Sequence, residues 1–117
     1  MTKEQPENIL LFVPDHQVKW QQTEQDRVVL LRPKFKLAWL KKVILPRMKH
    51  PYFRIHLDEF GSWVWLQIDG KKTVYEIGGA LKKKFGSEIE PVYQRLGLFI
   101  NQLARNRFIT LEKPGDE

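Results

Sequence analysis

Apolar and polar positions alternate over residues 17–22, where Val18 and Trp20 fall on the face opposite Lys19. Residues 28–32 are β-branched and leucine-rich, and the polar 23–26 joins the two runs at hairpin length. Pro33 stops the second strand. Residues 34–45 are ambiguous, but Leu37, Leu40 and Ile44 recur at helical spacing while Lys34, Lys41 and Lys42 stay polar, which favours a short amphipathic helix ending at Pro46. Residues 53–57 alternate again. Phe53, Ile55 and Leu57 share one face, and Arg54 and His56 the other, as in a half-buried or edge strand.

The second half reads as three helices and a strand. Asp58 is a good N-cap for a helix reaching about Ile68, with Gly61, Val64, Trp65 and Ile68 as its inner face. Asp69-Gly70 marks a turn, and Thr73-Val74-Tyr75-Glu76 matches a capping box. The helix this box opens buries Val74, Ile77 and Leu81 and stops at Phe85-Gly86; Gly78 and Gly79 inside it imply that another element packs close. A third helix starts near 88–91 and runs to about Asn106, with Val92, Leu96, Phe99, Ile100 and Leu103 apolar. Residues 108–111 read as a closing strand. The order (two strands, a basic segment, a strand, three helices, a strand) is α+β, of the winged-helix type.

With 117 residues, 7 Gly and 7 Pro, the chain holds one domain's worth of material. The expected layout is a flexible N-terminal arm over 1–15, with Leu10, Leu11 and Phe12 as docking residues, then a domain over 16–112 and a disordered tail over 113–117. No apolar run approaches the roughly 18 residues of a membrane span and no signal peptide is visible, so a cytoplasmic location is expected. The absence of cysteine removes disulfides, thiol nucleophiles and thiolate metal sites.

The net charge of +6 is concentrated. Residues 27–56 carry nine Lys or Arg and no acid, whereas 1–26 carry two Lys against five acids, and 57–117 carry nine of each sign. Phe35, Trp39, Tyr52 and Phe53 are interleaved with these cations, and Lys34, Lys36, Lys41, Lys42, Arg47 and Lys49 form the basic patch. Such a patch suits nucleic acid, an anionic membrane surface or an acidic peptide, or is simply a solvated loop. Enzyme signatures are absent. His16, His50 and His56 lack metal-ligand spacing, the adjacent acids sit at helix starts, and no phosphate-cradling glycine loop occurs. The expectation is a binding protein with no catalytic residue, metal or cofactor.

One stretch is specific: Leu57-Asp58-Glu59-Phe60-Gly61-Ser62-x-Val64-Trp65-x-x-Ile68-Asp69-Gly70-x-x-Thr73-Val74-x-Glu76-Ile77. It resembles the PqqD-like family of recognition elements for ribosomally made, post-translationally modified peptides. The likeness continues through Leu81, Phe85, Phe99, Leu103 and Ile109, covering about 53–111 well and 17–32 loosely. The resemblance implies a winged-helix-like fold, with a three-stranded antiparallel sheet packed on three helices. It further implies a non-catalytic adaptor that binds a precursor's leader peptide by strand addition and presents it to a modifying enzyme of radical type. Carried onto this chain, the peptide-binding residues are Phe53, Arg54, Ile55, His56 and Leu57 on the strand, and Arg95, Phe99, Gln102 and Leu103 on the third helix. Residues 33–52 are longer than the family's link and form a basic insertion, which leaves open whether it widens the peptide site, contacts a partner enzyme or touches lipid. The alternative is a winged-helix nucleic-acid binder using 27–56. The third helix argues against that, having only Arg95 and Arg105 along its length and Arg107 just beyond.

Overall fold

The computed structural model of the chain describes residues 9–34 and 42–113. Among the described residues five strands, β1 (Val13–His16), β2 (Lys19–Gln22), β3 (Val28–Pro33), β4 (Tyr52–His56) and β5 (Ile109–Glu112), accompany three α-helices, α1 (Glu59–Gln67), α2 (Val74–Phe85) and α3 (Val92–Arg105). The fold is α+β: a three-stranded antiparallel sheet ordered β2-β3-β4, a two-stranded sheet pairing β1 with β5, and the three helices. The chain divides into two compact units, Val18–Ser62 and a second made of Met1–Gln17 with Trp63–Glu117; the division falls within α1.

In the Val18–Ser62 unit, the hairpin β2–β3 closes through the Thr23 N–H bonded to the Arg27 carbonyl at 2.7 Å, with Asp26 at positive φ. β3 is the central strand, paired on both edges, and its successive side chains are buried on both faces: Val28, Val29 and Leu30 fully and Leu31 nearly so. β4 pairs with it in the register Leu30↔Ile55 and Leu31↔Arg54. Asp58 caps α1, its Oδ1 accepting the Gly61 N–H at 2.8 Å. The amphipathic helix expected over 34–45 falls largely outside the described residues; among the described ones, a short 3-10 turn at Leu45–Arg47 carries buried Leu45 into the basic loop.

In the second unit, the stretch expected as a loose arm over 1–15 is instead built into the fold from Ile9 onward. β1 pairs antiparallel with β5, Val13↔Glu112 through His16↔Ile109. Ile9 and Pro14, rather than Leu10 or Leu11, supply the buried side chains, and Leu11 is exposed. The backbone does the docking. Leu10 and Phe12 carbonyls accept the Tyr75 and Val74 N–H groups, both at 2.9 Å. Those are two of the orphan donors at the start of α2, and the capping box of Thr73 and Glu76 satisfies a third and orders the turn before it. The stop at Gly86, φ 66°, is a glycine conformation.

Val74, Ile77 and Leu81 of α2 are fully buried, as are Leu96 and Ile100 of α3. Gly78 explains itself: a Cβ there would collide with the Tyr93 ring of α3. Gly79 does not, since nothing lies within 4 Å of the position its Cβ would take.

Candidate functional site

Two hydrogen bonds fix the phase of β4. The Leu57 N–H reaches the Val28 carbonyl at 2.9 Å, and the Lys34 N–H reaches the Pro51 carbonyl at 3.0 Å. Bonded and non-bonded pairs alternate along an antiparallel ladder, so Phe53, Ile55 and Leu57 turn their amides and carbonyls toward β3. Tyr52, Arg54 and His56 turn theirs the other way. Among the described residues β4 is an edge of its sheet, so those outward groups form a strand's worth of donors and acceptors along a free edge.

Side chains divide between the faces accordingly. Phe53 is 54% exposed, and the Lys34 ammonium stands over its ring at 5.4 Å from the centroid, a cation–π contact. On the opposite face Arg54 crosses β3 to reach Gln21 Oε1 at 3.3 Å, and His56 is exposed. Lys42, Arg47 and Lys49 are exposed on the loop before β4, while Lys36 and Lys41 lie outside the described residues. At the start of β4, Lys42, Leu45, Pro46, Pro51 and Tyr52 line an open cavity of about 340 Å³. Little in the sequence signals it. Its one signal is the pair of prolines bracketing a short apolar and basic loop.

The helix residues expected at the site belong to the other unit. Arg95, Phe99 and Gln102 follow one another at helical spacings of four and three, and so share one stripe of α3. Arg95 and Gln102 are exposed, Phe99 is half-buried, and Arg95 Nη1 donates to the Ile89 carbonyl at 3.4 Å. Leu103 is only 4% exposed and falls on the buried stripe with Leu96 and Ile100. A side chain so enclosed belongs to the core.

Three titratable groups, His16, Asp69 and Tyr93, are held by contacts within the fold. His16 stacks on Trp65 with ring centroids 4.0 Å apart, and its Nε2 donates to the Trp65 carbonyl at 2.9 Å. Asp69 accepts the Lys72 and Lys71 backbone N–H groups at 2.9 Å each, and these hold its carboxyl down at about 2. Burial pushes the Tyr93 phenol up, with the stacked Tyr75 adding to the shift. Among the described residues no group of three or more His, Asp or Glu is placed to hold a metal ion, and no helix is long and apolar enough to cross a membrane.

What these features define is an α+β chain with an open strand edge and a basic, proline-bracketed cavity at its start. The family model of coenzyme PQQ synthesis protein D (PqqD) matches residues 43–109, from the basic loop through β4 and all three helices into β5. The chain belongs to the PqqD family. No curated protein and no solved structure gives a significant match.

Proposed function

We propose that this protein is a non-catalytic adaptor that captures the leader of a ribosomally made precursor peptide as an added strand on β4 and presents it to a modifying enzyme. The observation that carries this reading is the outward row of amides and carbonyls at Tyr52, Arg54 and His56 on a sheet edge. Main-chain hydrogen bonds give such an edge affinity for any extended peptide, and side-chain pockets beside it give selection. Membership of the PqqD family, which takes part in coenzyme PQQ synthesis and consists of accessory binding proteins rather than catalysts, supports the same role. The partners are then a precursor peptide and an enzyme that modifies it. Separately, exposed Arg95 and Gln102 on α3, with half-buried Phe99 between them, are a second candidate contact, and the proposed role calls for no cofactor.

Amide chemical-shift mapping tests this reading. The labelled full chain is titrated with a synthetic leader from the precursor encoded beside its gene, and separately with a short DNA duplex. Shifts at Arg54 and His56 with the peptide are the expected result. Shifts confined to the basic loop with DNA, and none with peptide, would replace the adaptor by a nucleic-acid binder.

A further inference from the structure

The cavity at the head of β4 lies where an added strand would begin or end. Tyr52 is both a wall of that cavity and the first outward-facing residue of the edge. Residues paired directly across strands place their side chains on the same face of the sheet. A residue paired with Tyr52 therefore brings its side chain in beside Tyr52. Leu45, Pro46 and Pro51 give the cavity apolar walls, and at about 340 Å³ it has room for a large apolar side chain. The next two positions on the same face of the incoming strand lie two and four residues along, opposite Arg54 and His56. Lys42 lines the cavity itself, and Arg47 and Lys49 are exposed on the loop leading into β4, in a segment with nine cations and no acid.

Resting on the strand-addition reading, we infer that the cavity is a selectivity pocket for an acidic leader. It takes one bulky apolar side chain opposite Tyr52, with Asp or Glu two or four residues along on the same face. Charge complementarity and edge chemistry together select this occupant. A strand edge offers alternating N–H and C=O groups, which another strand pairs completely; phosphate oxygens only accept, and would leave the outward carbonyls of Tyr52, Arg54 and His56 unmatched. A lipid surface provides no partners for an open strand edge within its hydrocarbon. Lys42, at the cavity rim, can lay its methylene stem along an apolar guest while its ammonium meets a carboxylate.

The test uses the full chain and three short synthetic peptides of β-branched residues. One carries a single Phe with Glu two and four residues along, the second has Phe replaced by Ala, and the third has both Glu replaced by Lys. A DNA duplex and phosphatidylglycerol vesicles are the remaining arms. The first peptide should bind with shifts at Arg54 and His56. The Ala form should bind roughly tenfold more weakly, the scale of one large side chain buried. The Lys form should lose affinity by a factor that shrinks as salt is raised. Tyr52→Ala should abolish the preference for Phe over Ala, and the exposed Lys42→Glu, which does not touch the core, should abolish the preference for Glu over Lys.

Equal binding of the Phe and Ala forms, still at Arg54 and His56, would overturn the pocket and leave strand addition standing. No shift at Arg54 or His56 with any peptide would overturn both. Shifts over Lys42 to Tyr52 with the duplex or the vesicles, and none with peptide, would also overturn both and give the basic loop to that partner.

Discussion

The Ser62 hydroxyl stands in for the last rung of the ladder between β3 and β4, accepting the Val28 N–H at 2.8 Å and donating to the Leu57 carbonyl at 3.3 Å. Val28 and Leu57 are a bonded pair in this register, and the return bond, Leu57 N–H to Val28 carbonyl, is made directly at 2.9 Å. The serine side chain, 1% exposed, thus ties the first turns of α1 to the end of β4. Ser62→Ala leaves the Val28 amide buried with no acceptor, and the expected loss is about 1–3 kcal/mol of stability. Denaturant unfolding measures it, and an unchanged midpoint would show that the ladder closes without the hydroxyl.

Adjacent glycines in α2 should respond to alanine in opposite directions. Nothing occupies the space a Gly79 side chain would take, so Gly79→Ala gains the ordinary helix preference, about 0.5–1 kcal/mol. At Gly78 a methyl group would strike the Tyr93 ring, which stacks on Tyr75 at 5.5 Å and lies under Lys82 Nζ at 5.2 Å. Overpacking of that kind outweighs the helix gain, with a net loss of about 1–2 kcal/mol. Thermal melts should place Gly79→Ala above the parent and Gly78→Ala below it. The reverse order would mean that the ring swings away freely.

Local chemistry was legible in the sequence, and long-range pairing was not. The Thr73 and Glu76 box, the Asp58 cap and the stop at Gly86 depend on neighbours a few residues apart, and each stands where the spacing predicted. β1 was missed because Val13-Pro14-Asp15-His16 does not alternate and contains a proline; what makes it a strand is β5, nearly a hundred residues on. Gly78 and Gly79 looked alike in sequence, and only the position of Tyr93 separates them. Leu103 was recoverable, since Leu96, Ile100 and Leu103 are spaced four and three apart on one buried stripe. Which β4 amides face outward was not recoverable, because that depends on register.

Acid should weaken the turn before α2 in a definite window. Asp69 has its carboxyl lowered from 3.8 to about 2, chiefly by the backbone N–H of Lys72 and then that of Lys71. A carboxyl whose folded value lies below its unfolded value adds stability above about pH 4, and that contribution is lost as the pH falls toward 2. Between those limits the parent should lose stability more steeply than Asp69→Asn, which keeps an acceptor oxygen and does not titrate there. At neutral pH Asp69→Ala should be less stable by about 1 kcal/mol, the scale of losing a capping acceptor. Parallel slopes for parent and Asp69→Asn from pH 4 to 2 would contradict this account.

Neighbouring proline substitutions on β4 separate binding from folding. The Ile55 amide faces β3, so Ile55→Pro removes a bond of the sheet itself and should destabilise the Val18–Ser62 unit. The Arg54 amide faces outward, where proline is tolerated on an edge strand, so Arg54→Pro should keep the fold while deleting one donor an added strand needs. Peptide affinity should fall about tenfold or more, from the lost hydrogen bond and the ring projecting into the partner strand. Arg54→Ala supplies the control. It removes the guanidinium and its bond to Gln21 yet keeps the amide, so its loss should be smaller and should fade with added salt. A folded Arg54→Pro protein that bound peptide as tightly as the parent would show that the leader does not lie along this edge.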